Sequence, residues 1–134
     1  MKEVLFWGDA LKTNLKDLAR ADVGNGTNGY IEFQLENGTC LGWTLFRDDH
    51  GHAIRAFLSK GSVFPVHDHE ESFETLVMYR GECELGFVNS AGQQELRKMQ
   101  LGKPAYLLKG QEHIIYAKED TWFFMTLVPP DTNL

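Results

Sequence analysis

The sequence has 134 residues, 43% of them hydrophobic, which predicts one domain with a core large enough to fold without disulfides. The net charge is −6 at pH 7 and Lys and Arg are not clustered, which argues against a nucleic-acid or anionic-membrane surface. No window approaches the roughly 18 apolar residues of a transmembrane helix, and the apolar run at the start is too short for a signal peptide. We therefore expect a cytoplasmic protein with a single domain over residues 1–134.

Residues 9–20 predict the one helix of the chain. Asp9 can cap its first turn, and apolar residues recur after Leu11 at the i+4, i+7 and i+8 positions of a helical stripe. A loop rich in Gly and Asn at residues 23–29 ends this segment. We expect residues 1–29 to form an arm and a helix that packs against the following domain.

From Tyr30 onward the sequence alternates apolar and polar residues, which predicts a β-domain over residues 30–130. Asn37-Gly38 predicts a hairpin with a type I′ turn, because that turn requires positive φ at both positions. The run at residues 121–128 is apolar at nearly every position and predicts a strand covered on both faces. About eight or nine short strands with regularly spaced turns are typical of a double-sheet jelly roll or a barrel.

Two cysteines and one histidine pair have plain interpretations. Cys40 and Cys83 lie far apart in strand-like runs, and we expect buried free thiols rather than the single disulfide that they allow. His50 and His52 have the spacing of a metal-binding pair, but Gly51 and two neighbouring aspartates indicate an exposed loop.

The stretch GSVFPVHDHEESFETLVMYRG, residues 61–81, has the clearest chemical pattern. His67 and His69 are two residues apart, and a strand places such residues on the same face. Glu74 follows a short polar break and begins a second strand. Two imidazoles and one carboxylate aimed at one point suit a divalent transition metal.

This stretch resembles the first motif of the cupins, G(X)5HXH(X)3–4E(X)6G, and fits it at every fixed position. The second cupin motif, G(X)5PXG(X)2H(X)3N, can be aligned with GKPAYLLKGQEHIIYA, residues 102–117. The matching positions are Gly102, Gly110 and His113, and the departures are Leu108 in place of Pro and Ala117 in place of Asn. The first match is the more specific of the two.

The resemblance implies an all-β fold, a double-stranded β-helix that forms a jelly-roll barrel. The short N-terminal helix predicted from residues 9–20 would be added to it. It also implies that His113 completes a metal site with His67, His69 and Glu74. We expect one divalent transition metal, and Fe, Zn, Ni, Mn and Cu are all compatible with such ligands. Four protein ligands would close a tetrahedral site, whereas an octahedral ion would keep two positions for water, substrate or dioxygen.

Two classes of function remain open. The first is a metal-dependent enzyme, of the dioxygenase, isomerase or lyase type that the cupin resemblance offers, acting on a small oxygen-bearing molecule in the barrel. The second is a non-catalytic module that binds or senses a metal or a small molecule. The complete ligand set favours the enzyme, and the lack of an obvious further acid or base favours the module. The remaining polar candidates, interpreted first as surface or packing residues, are Tyr79, Tyr116, Arg55 and Glu112.

The phase of the motif strands predicts part of a pocket around the metal. Met78 shares the face of Glu74, and Ile115 shares the face of His113. The pocket should open from solvent and be mainly apolar, with a small molecule as its occupant. The expected lining residues are Trp43, Met78 and Ile115, with Phe123 or Met125 from the last strand.

The apolar start of the chain and the edge strands of a jelly roll predict a homodimer, since exposed edges are commonly hidden by assembly. The cupin resemblance points the same way.

Overall fold

The structure, a computed structural model, describes residues 13, 19–23, 29–35, 37–132 and 134. Eleven strands and no helix occur among these residues, and no described helix is long and apolar enough to span a membrane. The strands are β1 (Ala19–Val23), β2 (Tyr30–Leu35), β3 (Gly38–Arg47), β4 (His52–Leu58), β5 (Val63–His67), β6 (Phe73–Arg80), β7 (Cys83–Val88), β8 (Gln94–Lys98), β9 (Ala105–Leu107), β10 (His113–Ala117) and β11 (Thr121–Val128).

The helix predicted at residues 9–20 lies outside the described residues except at residue 13 and at its end. There the prediction is wrong, because residues 19 and 20 begin β1, which pairs with β2. The sheet therefore starts before the boundary expected at residue 30. The single-domain organisation stays a prediction.

The strands form two antiparallel sheets that share one core. The larger sheet has the order β1-β2-β3-β4-β11-β6-β9, and the smaller has the order β5-β10-β7-β8. Phe33 of the larger sheet meets Phe64 of the smaller one edge to face, with ring centroids 5.2 Å apart. Each sheet turns one apolar face inward, as alternating strands require. The all-β jelly-roll prediction is confirmed.

The hairpin between β2 and β3 forms one residue earlier than predicted. Leu35 pairs with Gly38, so Gly38 belongs to β3 rather than to the turn. No described non-glycine residue has a positive φ, so Asn37 lacks the conformation of the predicted type I′ turn. This register buries Leu35, and burial of one strand face is what fixes a register.

The outer face of the larger sheet carries an aromatic stack. Trp43 and Trp122 are parallel at 5.8 Å, and the Arg55 guanidinium lies 4.7 Å above the Trp122 ring. Arg55 also donates a hydrogen bond to the Tyr79 hydroxyl at 2.9 Å. Phe124, on the same face of β11, is 41% exposed, so the prediction of a strand covered on both faces is wrong for the described residues.

The homodimer stays a prediction, and this outer face is a surface that such an assembly would cover. We expect light scattering at micromolar concentration to give twice the mass of one chain. Phe124→Lys should shift the protein towards a monomer. Leu96→Lys should not, because Leu96 is exposed on β8, at the edge of the smaller sheet. A monomeric mass for the unmodified protein would reject the dimer.

Gly81, between β6 and β7, has a φ of +107°, and an added Cβ would overlap the carbonyl oxygen of Asp120. Gly92 is a matched control, because its φ is +77° and nothing lies within 4 Å of an added Cβ. We expect Gly81→Ala to lower the free energy of unfolding by about 2 kcal/mol more than Gly92→Ala, since only Gly81 adds overlap to strain. Urea denaturation measures the free energy of unfolding of both variants. Equal losses would show that the structure around Gly81 shifts enough to relieve the overlap.

Candidate metal centre

Three histidines meet between the two sheets. His67 is the last residue of β5, His113 is the first residue of β10, and the two pair across the strands. His69 lies in the loop after β5, so the pair does not share one continuous strand, contrary to the prediction. One ring nitrogen from each histidine lies within 4.8 Å of the other two. All three side chains are buried.

Glu74 on β6 joins the histidines. Its Oε1 atom lies 2.9 Å from Nε2 of His113 and 3.5 Å from Nε2 of His69. The side chain is 2% exposed and shares the inner face of β6 with Met78, as predicted. The structure thus brings together the four residues for which the sequence predicts metal ligation. The ligation itself stays a prediction.

Local backbone carbonyls fix the orientation of two of these imidazoles. Nδ1 of His67 donates to the carbonyl of Pro65, and Nδ1 of His113 donates to the carbonyl of Gln111, each at 2.8 Å and two residues away. A carbonyl can only accept, so each Nδ1 carries the hydrogen and each Nε2 presents its lone pair. Metal-binding histidines almost always have such a bond at the second nitrogen.

The third imidazole is oriented by a residue that the sequence analysis missed. Asp131, 6% exposed, places Oδ2 2.6 Å from Nδ1 of His69 across 62 positions of sequence. The segment after β11 is anchored nearby, because the Ser72 hydroxyl donates to the carbonyl of Pro129 at 2.6 Å. Asp131 lies too far from both motifs for a sequence spacing to identify it as part of the centre.

Three buried polar atoms at the centre lack a well-aligned hydrogen bond among the described residues. They are Nε2 of His69, Nε2 of His113 and Oε1 of Glu74. The His113–Glu74 separation is short, but with the hydrogen of His113 on Nδ1 no N–H points at Oε1 of Glu74. An unsatisfied buried group costs about 1–3 kcal/mol, and one cation among these atoms would satisfy all three. The donor set therefore fits a divalent transition metal.

The charges at the centre are strongly coupled. Burial lowers the pKa of His67 well below its usual range, and the neighbouring His113 and His69 lower it further. Burial also acts on His69, but the charges of Glu74 and Asp131 outweigh it and raise the pKa of His69 to about 10. The two histidines hold the pKa of Glu74 below its usual range despite burial. Cation binding through His69 should therefore release a proton.

A cavity of about 50 Å³ adjoins the centre. His67, His69 and Glu74 form part of its wall. The rest is apolar except for the Thr44 hydroxyl and the Cys40 thiol. A space of this size holds roughly three to five waters or a comparably small molecule.

Some of the residues expected to line a pocket lie at this cavity. Ile115, Phe123 and Met125 line the cavity. Trp43 and Met78 are not among the described lining residues, so those two predictions are wrong. Trp43 belongs to the outer aromatic stack, and Met78 packs deeper, with its sulfur 3.7 Å from that of Cys83. His113 is also absent from the described wall.

No family model matches the sequence, and no curated protein matches it. Solved structures do match. KdgF from Halomonas sp. superposes with a TM-score of 0.63 at 18% identity, over 74% of this chain and 87% of that chain. An RmlC-like cupin from Shewanella frigidimarina gives 0.65 at 14% identity, over 87% and 97%. A variant of oxalate decarboxylase from Bacillus subtilis gives 0.59 at 15% identity, over 90% of this chain and 30% of that chain.

The chain has the cupin fold. At these identities the likeness concerns the fold alone.

Several other predictions can be placed on this fold. Cys40 and Cys83 are buried free thiols, as predicted, and burial raises the pKa of each to about 12. Tyr79, Tyr116, Arg55 and Glu112, the four polar candidates, are not among the described residues that line the cavity. Their interpretation as surface or packing residues stays a prediction.

His52 does not lie in an exposed loop, contrary to the prediction, whereas His50 does. His52 begins β4 and is 2% exposed. Its Nε2 lies 2.8 Å from Oγ1 of Thr44, and its Nδ1 lies 3.2 Å from Nη1 of Arg47. Burial and the Arg47 charge lower the pKa of His52 to about 4, although Asp131 acts in the opposite direction.

This lowered pKa predicts a loss of stability in acid. Between pH 6.5 and about 4 the unfolded chain binds a proton at His52 that the folded chain does not bind. The contribution of neutral His52 to the free energy of unfolding is therefore complete above pH 6.5 and is lost as the pH falls towards 4. Urea denaturation across this window should show a shallower pH dependence for His52→Gln than for His50→Gln. Parallel curves for the two variants would contradict the assignment.

Proposed function

We propose that this cupin binds one divalent transition-metal ion through His67, His69, Glu74 and His113 and acts as an enzyme on a small oxygen-bearing molecule in the adjoining cavity. One observation carries the proposal. Each imidazole has its Nδ1 engaged by an oxygen, so a cation at the centre would meet three oriented Nε2 atoms. Such an ion, when bound, can polarise a substrate oxygen and stabilise negative charge on it.

The surrounding residues support this chemistry. The apolar wall excludes water, which strengthens the electrostatic interactions of Glu74 and the histidines. Asp131 holds a hydrogen at Nδ1 of His69 and so keeps its Nε2 directed to the centre. One structural neighbour is named as a decarboxylase, so this fold can carry an enzyme.

A non-catalytic binding module is the second candidate, and one observation favours it. Among the described residues that line the cavity, the predicted ligands are the only side chains with ordinary acid–base chemistry, since the pKa of Cys40 is raised to about 12. No further general acid or base is therefore available to a substrate in the described wall.

Turnover separates the two candidates. Protein loaded in turn with Fe²⁺, Mn²⁺, Ni²⁺ or Zn²⁺ is screened for dioxygen consumption and for conversion of small hydroxy and keto acids. We expect at least one metal to support turnover. His113→Ala should abolish turnover with an unchanged far-ultraviolet circular dichroism spectrum, and His50→Ala should retain it. No turnover with any metal, together with a small acid that raises Tm by mass action, would favour the module.

A further inference from the structure

β3 contains an irregularity that changes which side chains face the interior. Thr44 pairs with Ile54 on β4, but the next paired residue is Phe46, opposite Ala53. The extra residue is a β-bulge, and a bulge moves the following side chains to the other face. Phe46, which would otherwise share the inner face with Thr44, is 52% exposed. Arg47 takes the inward position instead.

Arg47 determines which nitrogen of His52 carries the hydrogen. Its Nη1 lies 3.2 Å from Nδ1 of His52 and 2.7 Å from the backbone oxygen of Leu134. A guanidinium can only donate, so Nδ1 of His52 accepts, and the hydrogen of the neutral ring is on Nε2. Nε2 lies 2.8 Å from Oγ1 of Thr44 and therefore donates to it.

The Thr44 hydroxyl keeps its own hydrogen. Its oxygen accepts from His52, and no acceptor for its hydrogen is found in the described part of the chain. Thr44 lines the cavity, whose wall away from the predicted metal ligands is otherwise apolar apart from the Cys40 thiol. A hydroxyl hydrogen in an apolar wall requires an acceptor on whatever fills the cavity.

We propose that Thr44 is the hydrogen-bond donor that selects the ligand of this cavity, with Arg47 and His52 as positioning residues. The ligand class is a small molecule with an apolar body and an oxygen acceptor, such as a ketone or carboxylate oxygen. The inference rests on the proposed function only in taking the cavity as the ligand site.

Two probes of the same shape test the donor in metal-free protein. Butan-2-one carries an oxygen where 2-methylbut-1-ene carries a methylene group, and NMR titration of the Ile115 methyl signals gives each Kd. Thr44→Val removes the hydroxyl at constant shape. We expect the ketone to bind the variant roughly two- to tenfold more weakly, the range of one net hydrogen bond. The alkene should bind the variant at least as well. Thr126→Val, an exposed control, should change neither Kd.

The positioning role of Arg47 and His52 can be measured separately. Nitrogen-15 NMR should show the neutral Nε2–H form of His52 in the unmodified protein and loss of that preference in Arg47→Met. Ketone affinity should fall in Arg47→Met while alkene affinity stays. Three results would each overturn the proposal. The first is an equal loss of ketone and alkene affinity in Thr44→Val, and the second is no measurable ketone binding. The third is the Nδ1–H form of His52 in the unmodified protein. All of these measurements use metal-free protein. Failure of the proposed metal site would therefore not produce any of the results that overturn the Thr44 proposal.

Discussion

Replacing His67 and His69 together with Ala is expected to reduce the metal content of purified protein from about one divalent ion per chain to none. The two imidazoles supply half of the predicted ligand set, and the remaining pair, Glu74 and His113, lies only 2.9 Å apart. The two ligands that remain are too few to enclose an ion. Elemental analysis of protein purified under identical conditions measures the effect.

His50→Ala is the matched control, because His50 belongs to an identical sequence spacing but is exposed and makes no part of the centre. It should retain the full metal content. Unchanged metal in the double variant would refute the ligand assignment. The bound ion should also be lost at low pH, since the ligands bind as neutral imidazoles and a carboxylate.

Asp131→Ala is expected to weaken metal binding by about 10- to 100-fold, the usual effect of removing the hydrogen-bond partner of a metal-binding histidine. His69 would remain in place but lose the acceptor that fixes its Nδ1 hydrogen. Asp131→Asn should have a smaller effect, because its amide oxygen can still accept while the charge is gone. Competition with a chelator of known affinity measures each Kd.

Asp120→Asn provides the control for a lost aspartate charge. Asp120 accepts a hydrogen bond from the Lys60 amide at 2.8 Å in an exposed turn. Its replacement should leave the metal Kd unchanged. If Asp131→Ala matched the Asp120 variant, the His69–Asp131 bond would have no role in the centre.

Residue spacing pointed to His67, His69 and Glu74, whereas His113 joined the predicted ligands only through the resemblance to the second cupin motif. His67 and Glu74 flank one short connection, and His113 pairs with His67 across β5 and β10. Asp131 was not readable, since its contact depends on how the segment after β11 returns to the core. A contact that a loop residue makes with a residue far away in sequence produces no periodic pattern in the sequence.

The positions of Trp43 and His52 could not be read from the sequence for related reasons. Alternation shows which residues of a strand lie on the same face, but not which face is inside. On β3 the small Gly42 faces the core and the large Trp43 faces outward, the reverse of a size-based assignment. The bulge after Thr44 then reverses the alternation, so His52 and Arg47 meet in a network that no regular pattern predicts.

The acceptors that orient the three imidazoles differ in their distance along the chain. Those of His67 and His113 are two residues away, whereas the acceptor of His69 is 62 residues away. Local contacts form early and distant ones late, and synthesis proceeds from the N-terminus. On the ribosome, His69 therefore stays without its partner until residue 131 has emerged. We therefore expect capture of the proposed ion at full affinity to be a late event of biogenesis, and a nascent chain halted before this point to hold metal only weakly.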